Sequence, residues 1–192
     1  MKKHILDRYE RTTDGRVVID VSSARAEELY EDFDKTAPYH KKDLDEDLAF
    51  YLTECARELE RAEFVIRFTF DSMPSEELMG RVRTSLHKFF MYRKELELAA
   101  MRSMMRTSLV FFVIGIALLF FSLWSASVGL HEKGSPIMRR VLIEGLTIAA
   151  WVSLWESLAT FLVHWRPYRQ KIALNDRIAS AEVLFLSSGL HR

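Results

Sequence analysis

The chain is 192 residues and 22.4 kDa, with 27 Lys+Arg balancing 27 Asp+Glu and a mean hydropathy of −0.04. Those averages exclude a strongly basic nucleic-acid binder, an acidic disordered tail and a collagen-like chain, and nucleic acid is not expected as a partner. They conceal an asymmetry: residues 1–92 carry 20 acids and 15 bases, and residues 93–192 carry 7 acids and 12 bases.

The stretch Met1-Lys2-Lys3-His4-Ile5-Leu6-Asp7-Arg8 is basic but leads into no apolar run, so no cleavable signal peptide is expected. Residues 16–21 (RVVIDV) and 63–70 (EFVIRFTF) read as strands. In the second, Phe64, Ile66, Phe68 and Phe70 alternate with Val65, Arg67 and Thr69, which predicts a sheet with one covered face. Helical sequence lies between them, over 24–33 and 43–60. Cys55, the only cysteine, sits among Leu52, Ala56 and Leu59 at helical spacing and reads as a small buried hydrophobe, with no disulfide possible within the chain. Asp43-Leu44-Asp45-Glu46-Asp47, with Glu54 at the twelfth position, has the outline of a calcium loop, yet Leu48 stands where such a loop needs glycine. Asp43 as N-cap and Glu46 three residues on make a capping box instead, and the stretch is read as helix.

Ser72-Met73-Pro74-Ser75-Glu76-Glu77 signals a helix start, after which Leu78, Val82, Leu86, Phe89 and Leu96 recur at near-helical spacing. No proline interrupts residues 75–130, so one helix is expected to run from a polar region into Leu109–Leu130, 22 residues without a charge. A bilayer core needs about 20 residues of helix, and this stretch is read as a transmembrane span. Gly134-Ser135-Pro136 is a turn signal. Val141–Trp165, 25 residues, is the second span despite Glu144, Glu156 and His164. Arg93, Lys94, Arg102 and Arg106 precede the first span, and Arg166, Arg169, Lys171 and Arg177 follow the second, against Lys133, Arg139 and Arg140 in the loop between. The excess of bases places both termini in the cytoplasm. The basic flank also makes membrane lipid a partner. Trp124 and Trp165 fall near span ends, whereas Trp151 and Trp155 lie mid-span, one turn apart, and are expected to pack on another helix. After the second span a helix and a strand at 181–186 (AEVLFL) are expected, with the tail folding back on the first domain.

The candidate site lies in the second span. Glu156, Thr160 and His164 recur every four residues as a polar stripe, and Gly145, Ala149, Ser153 and Ser157 form a neighbouring small-residue stripe suited to close helix contact. A carboxylate deep in a bilayer costs about 2.5–3.5 kcal/mol and must face protein or water. The first span offers no base near Gly115 and Ile116, the residues at that depth, so a homo-oligomer is expected. Glu144, close to the outer boundary, is expected to snorkel to the interface. Histidines 4, 40, 87, 131, 164 and 191 form no metal-binding spacing, and there is no GxSxG, P-loop or GxGxxG. No enzymatic activity, cofactor or metal is expected. Two functions follow: a membrane-anchored interaction or sensing module with Glu156 at a subunit contact, or a cation channel with a ring of Glu156 around an axis.

Trp151-Val152-Ser153-Leu154-Trp155, Phe161-Leu162, Trp165, Pro167, Arg169 and Ile172 resemble an uncharacterised bacterial family of two-span inner-membrane proteins. Its motif reads GWVAxWRP…FLYxWWPxRRxI, preceded by a helix like DLDxD…EYIxExAREL. Residues 43–60 and 145–185 follow that pattern. The resemblance implies a bacterial inner membrane and brings no activity or ligand. Glu156-Ser157 replaces the motif's Arg-Pro, which implies that an acidic ring is not a family feature. The expected organisation is an α+β cytoplasmic domain over 1–74, an amphipathic basic helix over 75–108, and a transmembrane hairpin of 109–130 and 141–165. An external loop at 131–140 joins its spans, and a returning helix and strand occupy 166–192.

Overall fold

The computed structural model describes residues 7–30, 44–60, 62–127 and 136–188. The elements in chain order are β1 (Val17–Ser23), a short 3-10 turn (Ala26–Leu29), α1 (Glu46–Glu58), β2 (Phe64–Phe70), α2 (Glu76–Ser127), α3 (Pro136–Ala159), a π-helical turn (Thr160–His164), α4 (Trp165–Ala179) and β3 (Glu182–Ser187). They divide into two compact units, Met1–Leu96 with Lys171–Arg192, and Glu97–Gln170.

The first unit is built on a three-stranded sheet of order β1-β2-β3 with both pairings parallel. The expected third strand thus does pair, beside β2. Val17 lies opposite Phe64, and Ile19, Ile66 and Val183 share one row across the sheet. Both connections advance the same way across the sheet, so right-handed crossovers set their helices on one face. One core results, in which Ile19, Ile66, Phe68 and Phe70 of the sheet meet Leu52, Cys55 and Leu59 of the α1 region, Val82, Leu86 and Phe90 of α2, and Ile178 of α4. The aromatic row of β2 is continued by β3: Phe185 stacks on Phe68 and Phe70 with ring centroids 6.0 and 6.3 Å away.

On the opposite face Asp20 of β1 is the register partner of Arg67 of β2, and the Arg67 guanidinium donates to Asp20 and to Glu10. Those carboxylates, Asp20 first, hold the Arg67 pKa above its ordinary value. The outer edge of β3 is engaged by α2, whose Arg83 Nε donates to the Val183 carbonyl at 3.3 Å. His87 Nδ1, 2.8 Å from the Ala179 carbonyl, must be the donor there. Arg177 of α4 donates to the carbonyls of Glu60 and Ala62 and lies over the Phe64 ring, 5.1 Å from its centroid. Burial alone lowers the Arg177 pKa, and the two carbonyls compensate its desolvation.

Several local expectations are corrected. The N-cap of α1 is Asp45, which accepts from the Leu48 amide at 3.0 Å; Asp43 lies outside the described residues. The helix expected over 24–33 is a single 3-10 turn, and its part beyond Tyr30 is likewise outside the described residues. The first unit does not stop at residue 74, because Val82, Leu86 and Phe90 of α2 are fully buried in its core. Pro136 opens α3, so residues 136–140 of the expected loop are helical; proline is favoured at a first helical position, where its missing N–H has no partner to lose. The second span is not one regular α-helix but contains the π turn.

Two predictions follow from this core. Phe68→Ala removes a fully buried ring at the centre of the sheet and is expected to cost about 3–5 kcal/mol. The loss reads out as faster thiol labelling of buried Cys55 in a urea series, with labelling at the wild-type rate counting against the packing. Burial and then the Glu58 hydrogen bond push the Tyr9 phenol far up, and burial with neighbouring Cys55 pushes Tyr51 up to about 12 from an ordinary 10.0. Both stay protonated when folded at pH values where the unfolded chain ionises. Their contribution is therefore complete below pH 10.0 and lost as pH rises through the folded value, about 12 for Tyr51. Thermal unfolding between pH 9 and 12 is expected to show a smaller alkaline loss for Tyr51→Phe than for wild type.

Candidate functional site in the apolar hairpin

Two helical stretches, Glu76–Ser125 and Arg140–Ala179, are long and apolar enough to cross a membrane. Only 17% and 11% of their most apolar windows is buried, whereas a soluble core helix would be mostly covered. The second unit is built from the apolar parts of both, packed antiparallel. Ser108 faces Ser157, Gly115 faces Leu154 and Ser122 faces Thr147.

Apolar side chains supply no net drive for association where the surroundings are equally apolar, so close approach and hydrogen bonds must hold such a pair. Both are present at the seam. A Cβ added to Gly115 would lie 2.8 Å from Leu154 Cγ and 3.1 Å from its backbone N, so only glycine permits this separation. Ser108 Oγ donates to the Ser157 carbonyl and Ser157 Oγ to the Ser108 carbonyl, each at 2.9 Å, a reciprocal clasp between two buried hydroxyls. Thr147 Oγ1 donates to the Ile143 carbonyl at 2.9 Å, so in its 2.9 Å contact with Ser122 it is the acceptor.

Ser108, Gly115 and Ser122 recur every seven residues, and on α3 the half-buried or buried residues Ile143, Thr147, Ala150, Leu154 and Ser157 step by four and three. This is the 3.5-residue seam of a left-handed helix pair. The sequence reading missed it. The seven-residue recurrence of small residues in an otherwise all-apolar run was the available signal.

The expected small-residue stripe is not that seam. Of its members only Ser157 is buried between the helices; Ser153 is half-buried and donates to its own helix at the Ala149 carbonyl, and Gly145 and Ala149 are exposed. Trp151 and Trp155 are 64% and 70% exposed, so they do not pack on α2 as a helix partner would require. Glu156 is exposed on the face of α3 turned away from α2, the face that also carries Gly145, Ala149 and Val152. It makes no hydrogen bond or ion pair among the described residues. Glu144 pairs instead with Arg140 one turn earlier, at 3.1 Å.

Thr160 is half-buried and His164 exposed, and both belong to the π turn. Its i→i+5 bonding takes more residues per turn than an α-helix, so a four-residue step there falls short of a full turn where an α-helical step overshoots it. The polar stripe therefore does not keep drifting as regular helix spacing implied. Pro167 supplies a cause: in an unbroken α-helix its ring would meet the Val163 carbonyl, and the wider turn relieves that clash while leaving Pro167 in the first turn of α4.

The basic flanks divide. Lys94 is paired with Asp176 at 2.7 Å and Arg93 stacks on Phe89, both within the sheet unit. Arg169 lies over the Trp165 ring, 5.0 Å from its centroid, and Lys171 is also engaged. Arg102, Arg106 and Arg166 are exposed and make no ion pair among the described residues.

Comparison with protein-family models, curated proteins and solved structures finds no match for this chain.

The seam has a direct test. Cysteines placed at 108 and 157 in a Cys55→Ala background replace hydroxyl oxygens 3.2 Å apart and are expected to cross-link under mild oxidant. Adding Gly115→Val forces the helices apart, at about 1–3 kcal/mol of overpacking. That variant is expected to reduce the cross-link severalfold in mild detergent; an unchanged yield would contradict the close approach.

Proposed function

We propose that this chain is a bacterial inner-membrane protein with its sheet unit and both termini in the cytoplasm. In this reading it acts without enzymatic activity, as a homo-oligomeric interaction or sensing module. The observation that carries the reading is Glu156, exposed on the outward face of α3 with no partner in the hairpin. At its depth in an apolar span, about 13 Å of helix from Trp165, a lipid-facing carboxylate would cost about 2.5–3.5 kcal/mol. A second copy of the chain removes that cost by covering the face, and exposed Gly145 and Ala149 on the same side allow a neighbouring helix to come close. The orientation rests on the bases at the outer ends of the two spans and the few in the loop between them.

The sensing role rests on connectivity. β2 and β3 are hydrogen-bonded neighbours, yet the covalent path between them runs through the whole hairpin. Anything that alters the seam or its oligomer acts on the two helices joining those strands. The same outward carboxylate also supports a second reading, a cation-binding or conducting ring of Glu156.

Native mass spectrometry of the full chain in mild detergent is expected to give a homo-oligomer that Gly145→Leu with Glu156→Leu dissociates. A monodisperse wild-type monomer would sink the proposal. Liposome cation flux separates the two readings: flux in wild type lost in Glu156→Gln selects conduction, and none in either selects the module.

A further inference from the structure

Within the hairpin, a cleft of about 660 Å³ lies between α2 and the facing helix beside the serine clasp. Its walls are Leu109, Phe112 and Ile116 of α2 with Leu154, Leu158 and Phe161 of the facing helix. The hydroxyls at its base are spent: Ser108 and Ser157 each donate to the other's carbonyl. The charged group on its lining is Arg106, exposed and without an ion pair among the described residues, and Arg102 stands equally free one turn before it. A fitting ligand is therefore apolar along its length and anionic at one end.

The dimensions narrow the choice. From Arg106 to Ile116 the cleft runs about 15 Å along α2, half of a bilayer core about 30 Å thick and so the depth of one leaflet. Lined by apolar side chains over that length, the cleft has the reach of an acyl chain. Glu156, one residue before Ser157, is turned away from this side, so no carboxylate of the site opposes an anion.

We infer that this cleft is a binding site for one anionic phospholipid of the inner leaflet, with an acyl chain between α2 and α3 and its phosphate on Arg102 and Arg106. The inference rests on the membrane reading above and adds a site and a ligand class to it. Basic residues at the cytoplasmic end of an interhelical pocket are suited to such headgroups, each adding about fivefold in affinity. The lipid would fill the wedge beside the seam, so its binding and the packing of the hairpin are coupled.

The test uses the full-length chain purified from membranes in mild detergent. It is offered phosphatidylglycerol and phosphatidylcholine with identical chains in equal amounts, and the retained lipid is read by native mass spectrometry. One phosphatidylglycerol per chain is expected to survive activation, preferred about 30-fold over phosphatidylcholine. The Arg102→Gln/Arg106→Gln variant, which breaks no ion pair among the described residues, is expected to lose the preference. Leu158→Trp fills the cleft and is expected to lose the bound lipid while the 108–157 cross-link persists. Equal retention of the two lipids, or retention unchanged in both variants, overturns the inference. Full displacement by millimolar inorganic phosphate also overturns it, because the site would then hold an anion and no chain. A chain recovered in the soluble fraction of lysed cells would instead defeat the membrane reading itself.

Discussion

The pairing of β3 beside β2 is the constraint on which the rest of this molecule depends. Parallel neighbours cannot be joined by a tight turn and require a crossover. Here that crossover runs over residues 71–181, taking in α2, α3, the π turn and α4. For a flexible chain, closing so long a connection costs only about 2 kcal/mol more than closing one of ordinary helical length, since each doubling adds about 0.6 kcal/mol. Two rigid helices clasped at their seam reduce it further. The pairing in turn explains the side chains around it. Phe185 completes the stack with Phe68 and Phe70, Arg83 and His87 reach the outer edge of the sheet, and Arg177 ties α4 to the carbonyls that follow α1.

The two units hold together by different physics. The sheet unit buries phenylalanine, isoleucine and leucine away from water, so its stability scales with apolar area removed from solvent. The hairpin keeps large apolar residues outside, with Leu109, Phe120, Trp151 and Trp155 all more than half exposed, and turns Ser108, Gly115, Ser122 and Ser157 inward. That inversion suits an exterior that is itself apolar, which the proposed membrane location supplies. In such surroundings cohesion comes from the approach that Gly115 permits and from hydroxyls satisfied on carbonyls across the seam. Each such hydrogen bond contributes about 0.6–2 kcal/mol, so no single one holds the pair together.

What was legible in the sequence follows the same division. The alternation of Phe64, Ile66, Phe68 and Phe70 announces a strand with that face in the core because water punishes the wrong register, although Val65 on the other face is buried too. The unbroken run from Ser75 announces one long helix because nothing in it breaks helix. The parallel sense of the sheet was not legible, since alternation is indifferent to strand direction. Asp43 and Asp45 offer nearly the same capping chemistry two residues apart, and tertiary packing at Leu44 selected the second. In the hairpin the hydrophobic pattern falls silent, because a segment that is apolar on all sides has no stripe. The four-residue series Gly145, Ala149, Ser153 and Ser157 then competed with the seven-residue series Ser108, Gly115 and Ser122; the second lies in the seam throughout, and of the first only Ser157 does. The π turn was hidden because its cause, Pro167, acts on a carbonyl one turn back.

The outward face of α3 gains its meaning from that inversion. A helix whose inward side is fully used, by the serine clasp, by Leu154 against Gly115 and by Thr147 against Ser122, has no interior place left for a carboxylate. Moving Glu156 by one position would set it at Ser157, inside the clasp, against the Ser108 carbonyl and with the Ser108 hydroxyl as the nearest donor. On the outward face it retains water, a second chain or a proton as ways to be satisfied, and the small residues Gly145 and Ala149 leave room for the first two. Seam and outward face are therefore complementary solutions to one problem, a helix that must be apolar and still carry an unpaired acid at mid-span. The side that holds the hairpin together excludes the acid, and the side that carries the acid is left open for contact.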